Sequence, residues 1–308
     1  MPVTLIDDLA ARYGEQLKTR APSLIVSVIG DAVVPHGNAV WLGSLIEALE
    51  PFGLNARQIR TAVFRLVRDD WLSAQRFGRR SYYGFTDTGL RHYAKAARRI
   101  YANGPPDWDG SWTLVFSSLL DARQRDELRR ELRWLGYGSL AQGVMAHPAA
   151  DQQSLAETLH DLRLTDRVAV MTASSADAPG SGVARELALN SWDLTGAAEH
   201  YTALIGSFKP VLAALRKARR LDPRQCFLVR ALLIDQYRRI LLTDADLPDS
   251  LLPVHWPGGV ARELVIEIYR RVGPGAIEYL TGSLENVSGP LPPPDDDYYQ
   301  RFGGLQRG

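Results

Sequence analysis

The sequence is poor in cysteine, in long apolar runs and in net charge. Cys226 is the only cysteine among the 308 residues, so no disulfide within the chain is possible, as is typical of a reducing compartment. Residues 1–9 lack the basic start and apolar core of a secretory signal. The best apolar run, residues 24–34, is interrupted by Asp31 and falls short of the roughly 18 apolar residues of a membrane span. These absences predict a cytoplasmic protein with no membrane partner.

Net charge is scarce, but it is unevenly spread. The formal net charge of +1, taken alone, argues against a protein coated with basic charge for nucleic acid. Residues 1–102 carry 14 basic and 9 acidic side chains, whereas residues 103–308 carry 22 basic and 26 acidic ones. Residues 57–99 alone hold 11 basic and 3 acidic side chains. The pattern predicts that the N-terminal third contacts nucleic acid.

Signatures of catalysis and of metal binding are missing. The sequence contains no GxSxG motif and no phosphate-binding loop, and its six histidines are too scattered for a local metal site. Residues 136–141 fit the Ala-ended dinucleotide fingerprint, but they follow a predicted helix and precede a strand, the reverse of the required order. Apolar neighbours indicate that Cys226 is buried and unreactive. We therefore predict no catalytic residue, no metal, no required cofactor and no enzymatic activity.

The basic region has the pattern of a winged helix-turn-helix unit. Helices are predicted at residues 23–34, 40–49, 55–70 and 87–102, and strands at residues 72–77 and 80–85. Asn55 is a suitable N-cap for the third helix. Gly78 and Arg79 separate the two strands, which is the spacing of a β-hairpin.

The third helix divides into a cationic and an apolar face. At 100° per residue, one face collects Arg57, Arg60, Thr61, Phe64, Arg65 and Arg68, and the other Ile59, Ala62, Val63, Leu66 and Val67. Arginine bonds guanine edges bidentately or clamps phosphate, and a helix fits the major groove of DNA. The hairpin adds a second basic cluster suited to a wing. The predicted DNA-binding residues are Arg57, Arg60, Thr61, Arg65, Arg68, Arg79 and Arg80.

An ordinary solvated helix face is the alternative interpretation of these arginines. The second basic cluster and the near absence of acidic residues between 71 and 99 argue against it. Phe64 leaves two interpretations open, contact with a thymine methyl group or packing against protein.

The rest of the chain alternates strand with helix and then becomes helical. Strands are predicted at residues 112–119, 140–146 and 168–173, and helices at 123–135, 154–162, 222–242 and 259–272. The first five of these elements suggest a small ferredoxin-like α+β domain. The last helix is predicted to end at Gly273-Pro274-Gly275. The Pro- and Asp-rich residues 289–297 are predicted to be extended and solvated.

Turn-rich breaks at residues 103–106 and 174–182 divide the chain. We therefore predict a multidomain α+β protein with three parts. They are a winged helix-turn-helix domain at residues 1–103, a ferredoxin-like middle domain at 104–178, and a helical C-terminal domain with an extended tail at 179–308.

Arginine pairs recur in the apolar C-terminal helices, among them Arg238-Arg239 and Arg270-Arg271. A buried arginine needs an anionic partner. Carboxylates within the same helices, such as Asp235 or Glu267, are the simple partners. A bound anionic ligand is the alternative.

Six short segments resemble the PaaX family of phenylacetic-acid catabolism repressors. They are WLGSL at 41–45, RTAVFRL at 60–66, GRRSYY at 78–83, WDG at 108–110, LPVHW at 252–256 and QRFGGL at 300–305. The resemblance extends from about residue 23 to residue 305. It implies a cytoplasmic, homodimeric, DNA-binding transcriptional repressor that phenylacetyl-coenzyme A releases from its operator. We predict that the C-terminal domain binds the effector and dimerises, and effector binding by the middle domain stays open as the alternative.

The middle domain also looks like the small CRISPR-associated endoribonuclease fold. That fold places a metal-binding aspartate at the end of its first strand, where this chain has Ser117 and Ser118. The resemblance therefore implies no nuclease activity.

A dimer implies a palindromic operator, because two recognition helices meet successive major grooves. Coenzyme A carries phosphates that need cations, and the phenylacetyl group needs an apolar slot. The candidate effector-binding residues are Tyr237, Arg238, Arg239, His255, Trp256, Arg270 and Arg271. Two alternatives stay open: a related regulator that answers to another acyl-coenzyme A or aromatic acid, and a coenzyme A thioester enzyme, for which no nucleophile or base is visible.

Overall fold

Helices and one hairpin form the basic N-terminal region. The structure, a computed structural model, describes residues 9, 12–14, 16–104, 108–174 and 182–307. The helices are α1 (Ala21–Val28), α2 (Leu42–Leu49), α3 (Ala56–Arg68) and α4 (Asp87–Ile100). The strands are β1 (Val40–Trp41), β2 (Leu72–Phe77) and β3 (Arg80–Phe85). Both predicted breaks between domains fall partly on residues 105–107 and 175–181, which lie outside the described residues.

The three strands form an antiparallel sheet in the order β1-β3-β2. Phe77 is paired with Arg80, so Gly78 and Arg79 make the predicted tight turn, and Gly78 adopts a φ of 59° that favours glycine. The helix predicted at 40–49 begins too early. Residues 40 and 41 instead pair with β3 as β1, because backbone pairing at a sheet edge competes with helix formation over two residues.

Helix α3 is held in place by its cap and by its apolar face. The Asn55 side chain accepts from the Gln58 amide at 2.9 Å, and the Gln58 side chain accepts from the Asn55 amide at 2.9 Å. This capping box confirms the predicted N-cap. Ile59, Ala62 and Val63 are buried, and the helix packs on α1.

By contacts the chain divides into two compact units, which are described separately. The first unit comprises Met1–Asn103, Leu204–Arg238 and Ala261–Gly308, and the second Gly104–Ala203 and Arg239–Val260. The division of the sequence into three domains stays a prediction.

The second unit is built on a four-stranded antiparallel sheet. Its elements in chain order are β4 (Ser111–Phe116), α5 (Ala122–Trp134), β5 (Gly138–Ala141), β6 (Val144–His147), α6 (Gln152–Asp161), β7 (Ala169–Ser174) and α7 (Gly182–Ser191). The strand order is β5-β6-β4-β7, and the βαββαβ element order fits a ferredoxin-like domain. The single strand predicted at 140–146 is wrong. It is a hairpin, because Gly143 takes a φ of 78° and turns the chain.

Long helices supply the remainder. They are α8 (Leu194–Lys217), α9 (Pro223–Leu241) and α10 (Pro257–Ser283). The Asp222 side chain accepts from the Gln225 amide at 2.9 Å, which confirms the predicted start of α9. The predicted end of α10 at residue 273 is wrong. The helix continues through Pro274 because Val272, Ala276 and Leu280 are fully buried, and this packing outweighs the hydrogen bond that proline removes.

The C-terminal segment, residues 284–305, is here called the C-terminal strap. It contains β8 (Glu285–Asn286), β9 (Gly289–Pro290) and α11 (Asp296–Gln300). Residues 289–297, predicted to be extended and solvated, are mostly so: residues 291–295 form no helix or strand, and most of the nine residues are exposed. Asp295, predicted as part of a solvated charge run, is exposed and also accepts from the Tyr298 amide at 2.9 Å as the N-cap of α11. What the sequence did not predict is that Leu291, Tyr298 and Phe302 are buried and fasten the strap to the core of the first unit.

A buried histidine lies where the strap meets the N-terminal region. His36 is fully buried, its Nδ1 donates to the Pro292 carbonyl, and its Nε2 has no partner among the described residues. Burial lowers the pKa of His36, and the nearby positive charges of Arg230 and Arg301 lower it further. Protonation would therefore place an extra charge in the core.

We expect the free energy of unfolding to fall by up to about 1 kcal/mol between pH 7 and pH 5.5 on account of His36. The sign follows from linkage. The folded pKa is depressed, so the unfolded chain binds the proton first, and stability is lost as the pH falls below about 6.5. Urea titrations at both pH values, on wild-type protein and on His36→Gln, measure this contribution. An equal pH dependence in both proteins would contradict it.

Neither a membrane span nor a metal-binding cluster is present among the described residues. No helix there is both long and apolar enough to cross a membrane. In the same part of the chain, no three histidine, cysteine, aspartate or glutamate side chains are grouped so that they could hold a metal ion.

Candidate nucleic-acid interface and ligand groove

The cationic face of α3 points away from the core. Phe64 is 71% exposed, and the other members of the predicted face are exposed too, namely Arg57, Arg60, Thr61, Arg65 and Arg68. Ile59, Ala62, Val63 and Leu66 are buried on the opposite side. The division into faces is thus confirmed, and Phe64 does not pack into the described part of the chain.

Most of the arginines on this face have no side-chain partner within the described residues. Within the described residues, no ion pair or side-chain hydrogen bond engages Arg57, Arg60 or Arg65. Arg68 pairs with Asp69 at 2.9 Å, and the Thr61 hydroxyl donates to the Arg57 carbonyl at 2.9 Å. Three guanidinium groups on one helix face are therefore available to an anion outside the protein.

The hairpin arginines differ from one another. Arg79 is exposed at the turn and has no side-chain partner among the described residues. Arg76 donates to the Gly78 carbonyl at 3.3 Å. Arg80 forms an ion pair with Glu285 of the C-terminal strap, and its guanidinium lies 4.2 Å from the centre of the Trp41 ring. The strap thus holds one of the predicted DNA-binding residues.

The cationic face of α3 and the neighbouring basic hairpin have the chemistry needed to bind nucleic acid. Guanidinium groups bind phosphate oxygens whatever the base sequence, and they bind base edges in a way that depends on the sequence. Arg68 and Arg80 each already neutralise one carboxylate, so Arg57, Arg60, Arg65 and Arg79 are the strongest anion-binding candidates.

The predicted effector-binding residues do not gather in one pocket. Tyr237 is buried, and Arg238 is half-buried and donates to the hydroxyls of Ser23 at 3.3 Å and Ser27 at 3.2 Å. Arg239 is half-buried too. In the second unit, His255 is exposed, and Trp256 lies edge-on to Tyr201 with ring centres 5.9 Å apart.

Arg270 and Arg271 line a groove in the first unit, and the other five candidates are not among its lining residues. The groove has a volume of about 950 Å³ and lies between α10 and the C-terminal part of the strap. Arg271 donates to Glu267 at 3.0 Å, and Arg270 to the Phe302 carbonyl at 2.9 Å. The volume lies within the range of small-molecule sites.

A buried charge cluster lies beneath this groove. Asp31 is 2% exposed and accepts from Arg230 at 2.7 Å and from Arg301 at 3.0 Å. Tyr101 and Tyr269 donate to the same carboxylate at 2.8 and 2.9 Å. Burial alone would raise the pKa of Asp31, but the two arginines lower it below its ordinary value. The carboxylate therefore stays ionised.

One of the two carboxylates suggested as partners of the helix arginines is confirmed: Glu267 pairs with Arg271 of the same helix at 3.0 Å and also with Arg216. Asp235 accepts from Ser27 at 2.9 Å. The partner of buried Arg230 in α9 is Asp31, which was not among the suggested partners. The one sequence signal for the cluster was the interruption of an apolar run by Asp31, because an acidic residue in such a run needs a cationic partner.

Comparisons with known proteins agree along nearly the whole chain. The family described as PaaX-like protein matches residues 20–89, the PaaX protein central Cas2-like domain matches 105–186, and the PaaX-like protein C-terminal domain matches 192–282. The chain is 40% identical over 284 residues to the transcriptional repressor PaaX of Escherichia coli strain K12, a match that covers 92% of this chain and 90% of that protein. An uncharacterized protein from Mycobacterium tuberculosis is similar in structure, with a TM-score of 0.48 and 25% identity, covering 80% of this chain and 96% of the other.

Proposed function

This chain belongs to the PaaX family, and from that premise we propose that it is a DNA-binding transcriptional repressor of phenylacetic acid degradation genes. It is a regulator and not an enzyme. The observation that supports DNA binding most strongly is the exposed face of α3, with three guanidinium groups that have no partner within the described residues.

The N-terminal region acts as a winged helix-turn-helix unit in this proposal. Helix α3 is the recognition helix and lies in the major groove, and the β2–β3 hairpin is the wing. The residues that contact DNA are Arg57, Arg60, Thr61, Arg65, Arg68, Arg79 and Arg80. Phe64, in the middle of the face, is placed to meet a thymine methyl group.

The protein binds as a homodimer to a palindromic operator. A two-fold symmetric dimer presents two α3 helices to successive major grooves about 34–36 Å apart. An effector that favours a dimer geometry with a different distance between the two α3 helices would weaken operator binding without contacting α3 itself.

Phenylacetyl-coenzyme A releases the repressor from its operator. An intermediate of phenylacetic acid degradation is a suitable signal, because its accumulation shows that the degradation enzymes are needed. A related regulator could answer in the same way to another acyl-coenzyme A or to a free aromatic acid.

We expect phenylacetyl-coenzyme A to raise the dissociation constant for operator DNA by about 5- to 150-fold, the usual range of coupling between sites. Fluorescence anisotropy of a labelled promoter fragment with full-length protein measures it. Coenzyme A, phenylacetic acid and acetyl-coenzyme A are the matched controls and are expected to leave binding unchanged. Unaltered binding with phenylacetyl-coenzyme A, or release by a control, would show that the effector is another compound.

A further inference from the structure

We propose that the groove between α10 and the C-terminal strap holds the aromatic acyl group of the effector, and that the strap transmits its occupancy to Arg80 of the hairpin. This inference rests on the proposed function, since it takes the effector to be an aromatic acyl thioester. It places the apolar part of the effector in the groove. It also connects the occupied groove, through the strap, to a residue predicted to bind DNA.

The groove is lined by the groups that an aromatic acyl chain needs. Ile266, Pro274 and Ile277 on the α10 side and Leu305 on the strap side are apolar, and the rings of Tyr269 and Tyr298 contribute to the lining. The two hydroxyls are already bonded, Tyr269 to Asp31 at 2.9 Å and Tyr298 to Arg230 at 3.3 Å. Both rings are buried and fixed, so they form the floor of the groove. The carbon surface accessible to an aromatic ring comes from Ile266, Pro274, Ile277 and Leu305 and from the half-buried ring of Tyr299.

Charge in the groove excludes the phosphates of the effector. Three carboxylates, Glu263, Glu267 and Glu278, stand in the lining against Arg270 and Arg271, and both arginines are already hydrogen-bonded within the protein. A phosphate group would meet three carboxylates, while both guanidinium groups of the lining already have partners within the protein, and this costs free energy. The uncharged acyl end meets no such penalty, so it enters the groove and the nucleotide end stays outside.

One wall of the groove is the strap, and the strap reaches the hairpin. Tyr298, Tyr299 and Leu305 belong both to the strap and to the lining. At its other end the strap carries Glu285, whose carboxylate pairs with Arg80. A ligand that prefers one arrangement of this wall shifts the population of strap positions by its differential affinity, and thereby the position of Arg80.

Other contacts fix the strap along its length. The Asp295 amide donates to the Pro35 carbonyl at 2.8 Å, the Phe302 amide to the Tyr101 carbonyl at 2.8 Å, and the Glu285 amide to the Ser44 hydroxyl at 3.3 Å. These bonds lie on both sides of α11, so the strap is attached to the first unit and is not a loose tail. A change in the groove wall therefore changes the packing of the whole strap.

Filling the groove tests the first half of the proposal. In full-length protein, Ile277→Trp places a large side chain in the groove, and Val260→Trp places the same side chain on an exposed position of α10 outside it. In a calorimetric titration, the dissociation constant for phenylacetyl-coenzyme A is expected to rise by about tenfold or more in Ile277→Trp. It is expected to equal that of wild type in Val260→Trp. Val260→Trp is expected to bind the operator without effector as wild type does, and circular dichroism with a thermal melt shows whether Ile277→Trp is folded.

Breaking the connection tests the second half. Glu285→Gln removes the carboxylate that holds Arg80 but lies outside the groove, so phenylacetyl-coenzyme A is expected to bind as in wild type. The ratio of operator dissociation constants with and without effector is expected to fall several-fold towards one, a result that a merely structural role of Glu285 would not produce.

The outcomes separate the two proposals. A wild-type protein that ignores phenylacetyl-coenzyme A overturns the proposed effector and this inference with it. If wild type responds and Ile277→Trp binds the effector equally well, the groove is not the site and the proposed function stands; Ile266→Trp repeats this test should Ile277→Trp fail to fold. An unchanged release ratio in Glu285→Gln overturns the role of the strap alone.

Discussion

Asp31→Asn is expected to lower the free energy of unfolding by about 3–5 kcal/mol, the usual cost of removing one partner from a buried ion pair. The carboxylate is the shared partner of Arg230, 1% exposed, and Arg301, 6% exposed. Without its charge, two buried guanidinium groups face one another across neutral side chains. The loss is therefore larger than that of the hydrogen bonds alone, because asparagine keeps an acceptor but not the charge.

Urea denaturation of the full chain, followed by circular dichroism, measures this loss. The matched control is Asp126→Asn, which removes the carboxylate of a surface pair with Arg129 at 3.0 Å and is expected to cost less than about 1 kcal/mol. If both variants unfold at the wild-type urea concentration, Asp31 is not essential to the core of the first unit.

Arg60→Ala and Arg65→Ala are each expected to weaken operator binding by about 1–3 kcal/mol, or roughly 5- to 150-fold. Both guanidinium groups are exposed on the α3 face and have no partner in the described part of the chain. Their loss therefore removes contacts to DNA and none within the protein. An arginine that binds phosphate also lowers the slope of log affinity against log salt by about one, so the salt dependence distinguishes phosphate from base contacts.

Arg123→Ala on α5 is the control for this prediction. Arg123 is exposed in the second unit and carries the same charge, so a general effect of net charge would reduce affinity equally in all three variants. Equal losses, or a lowered melting temperature in Arg60→Ala and Arg65→Ala, would show that the arginines of α3 do not act as direct DNA contacts.

The elements that the sequence predicted well are those set by neighbouring residues. The faces of α3 follow from helical periodicity, its start follows from Asn55 and Gln58, and the hairpin follows from Gly78. Such signals lie within a few residues of one another, so no knowledge of the remaining chain is needed.

Features that depend on distant packing were mispredicted or missed. Asp31 and Arg230 lie 199 positions apart in the sequence, and nothing local joins them. Helix α10 continues through a Gly-Pro-Gly sequence that ends most helices, because side chains before and after Pro274 are buried. The polar, proline-rich composition of residues 289–297 predicted their exposure, but not that a few apolar side chains of the strap, such as Leu291 and Phe302, are buried in the core.

The candidate site divides in the same way. The α3 face was predictable residue by residue, since its pattern is local and its chemistry is direct. The groove was not, because its walls come from residues about 30 positions apart and its arginines are ordinary helix residues until the strap is placed beside them.

Directed cleavage of operator DNA tests the central claim, that α3 reads the DNA, most directly. Cys226 is buried, and burial, Asp222 and Glu278 raise its pKa to about 11, so a thiol-reactive iron chelate attaches to an introduced cysteine instead. Phe64→Cys carries the probe on the α3 face, and Leu119→Cys, 75% exposed in wild type, carries it on the second unit. We predict cleavage from Phe64→Cys at two symmetric positions, one in each operator half-site, and none there from Leu119→Cys. Operator binding without cleavage from Phe64→Cys would contradict the assignment of α3 as the recognition helix.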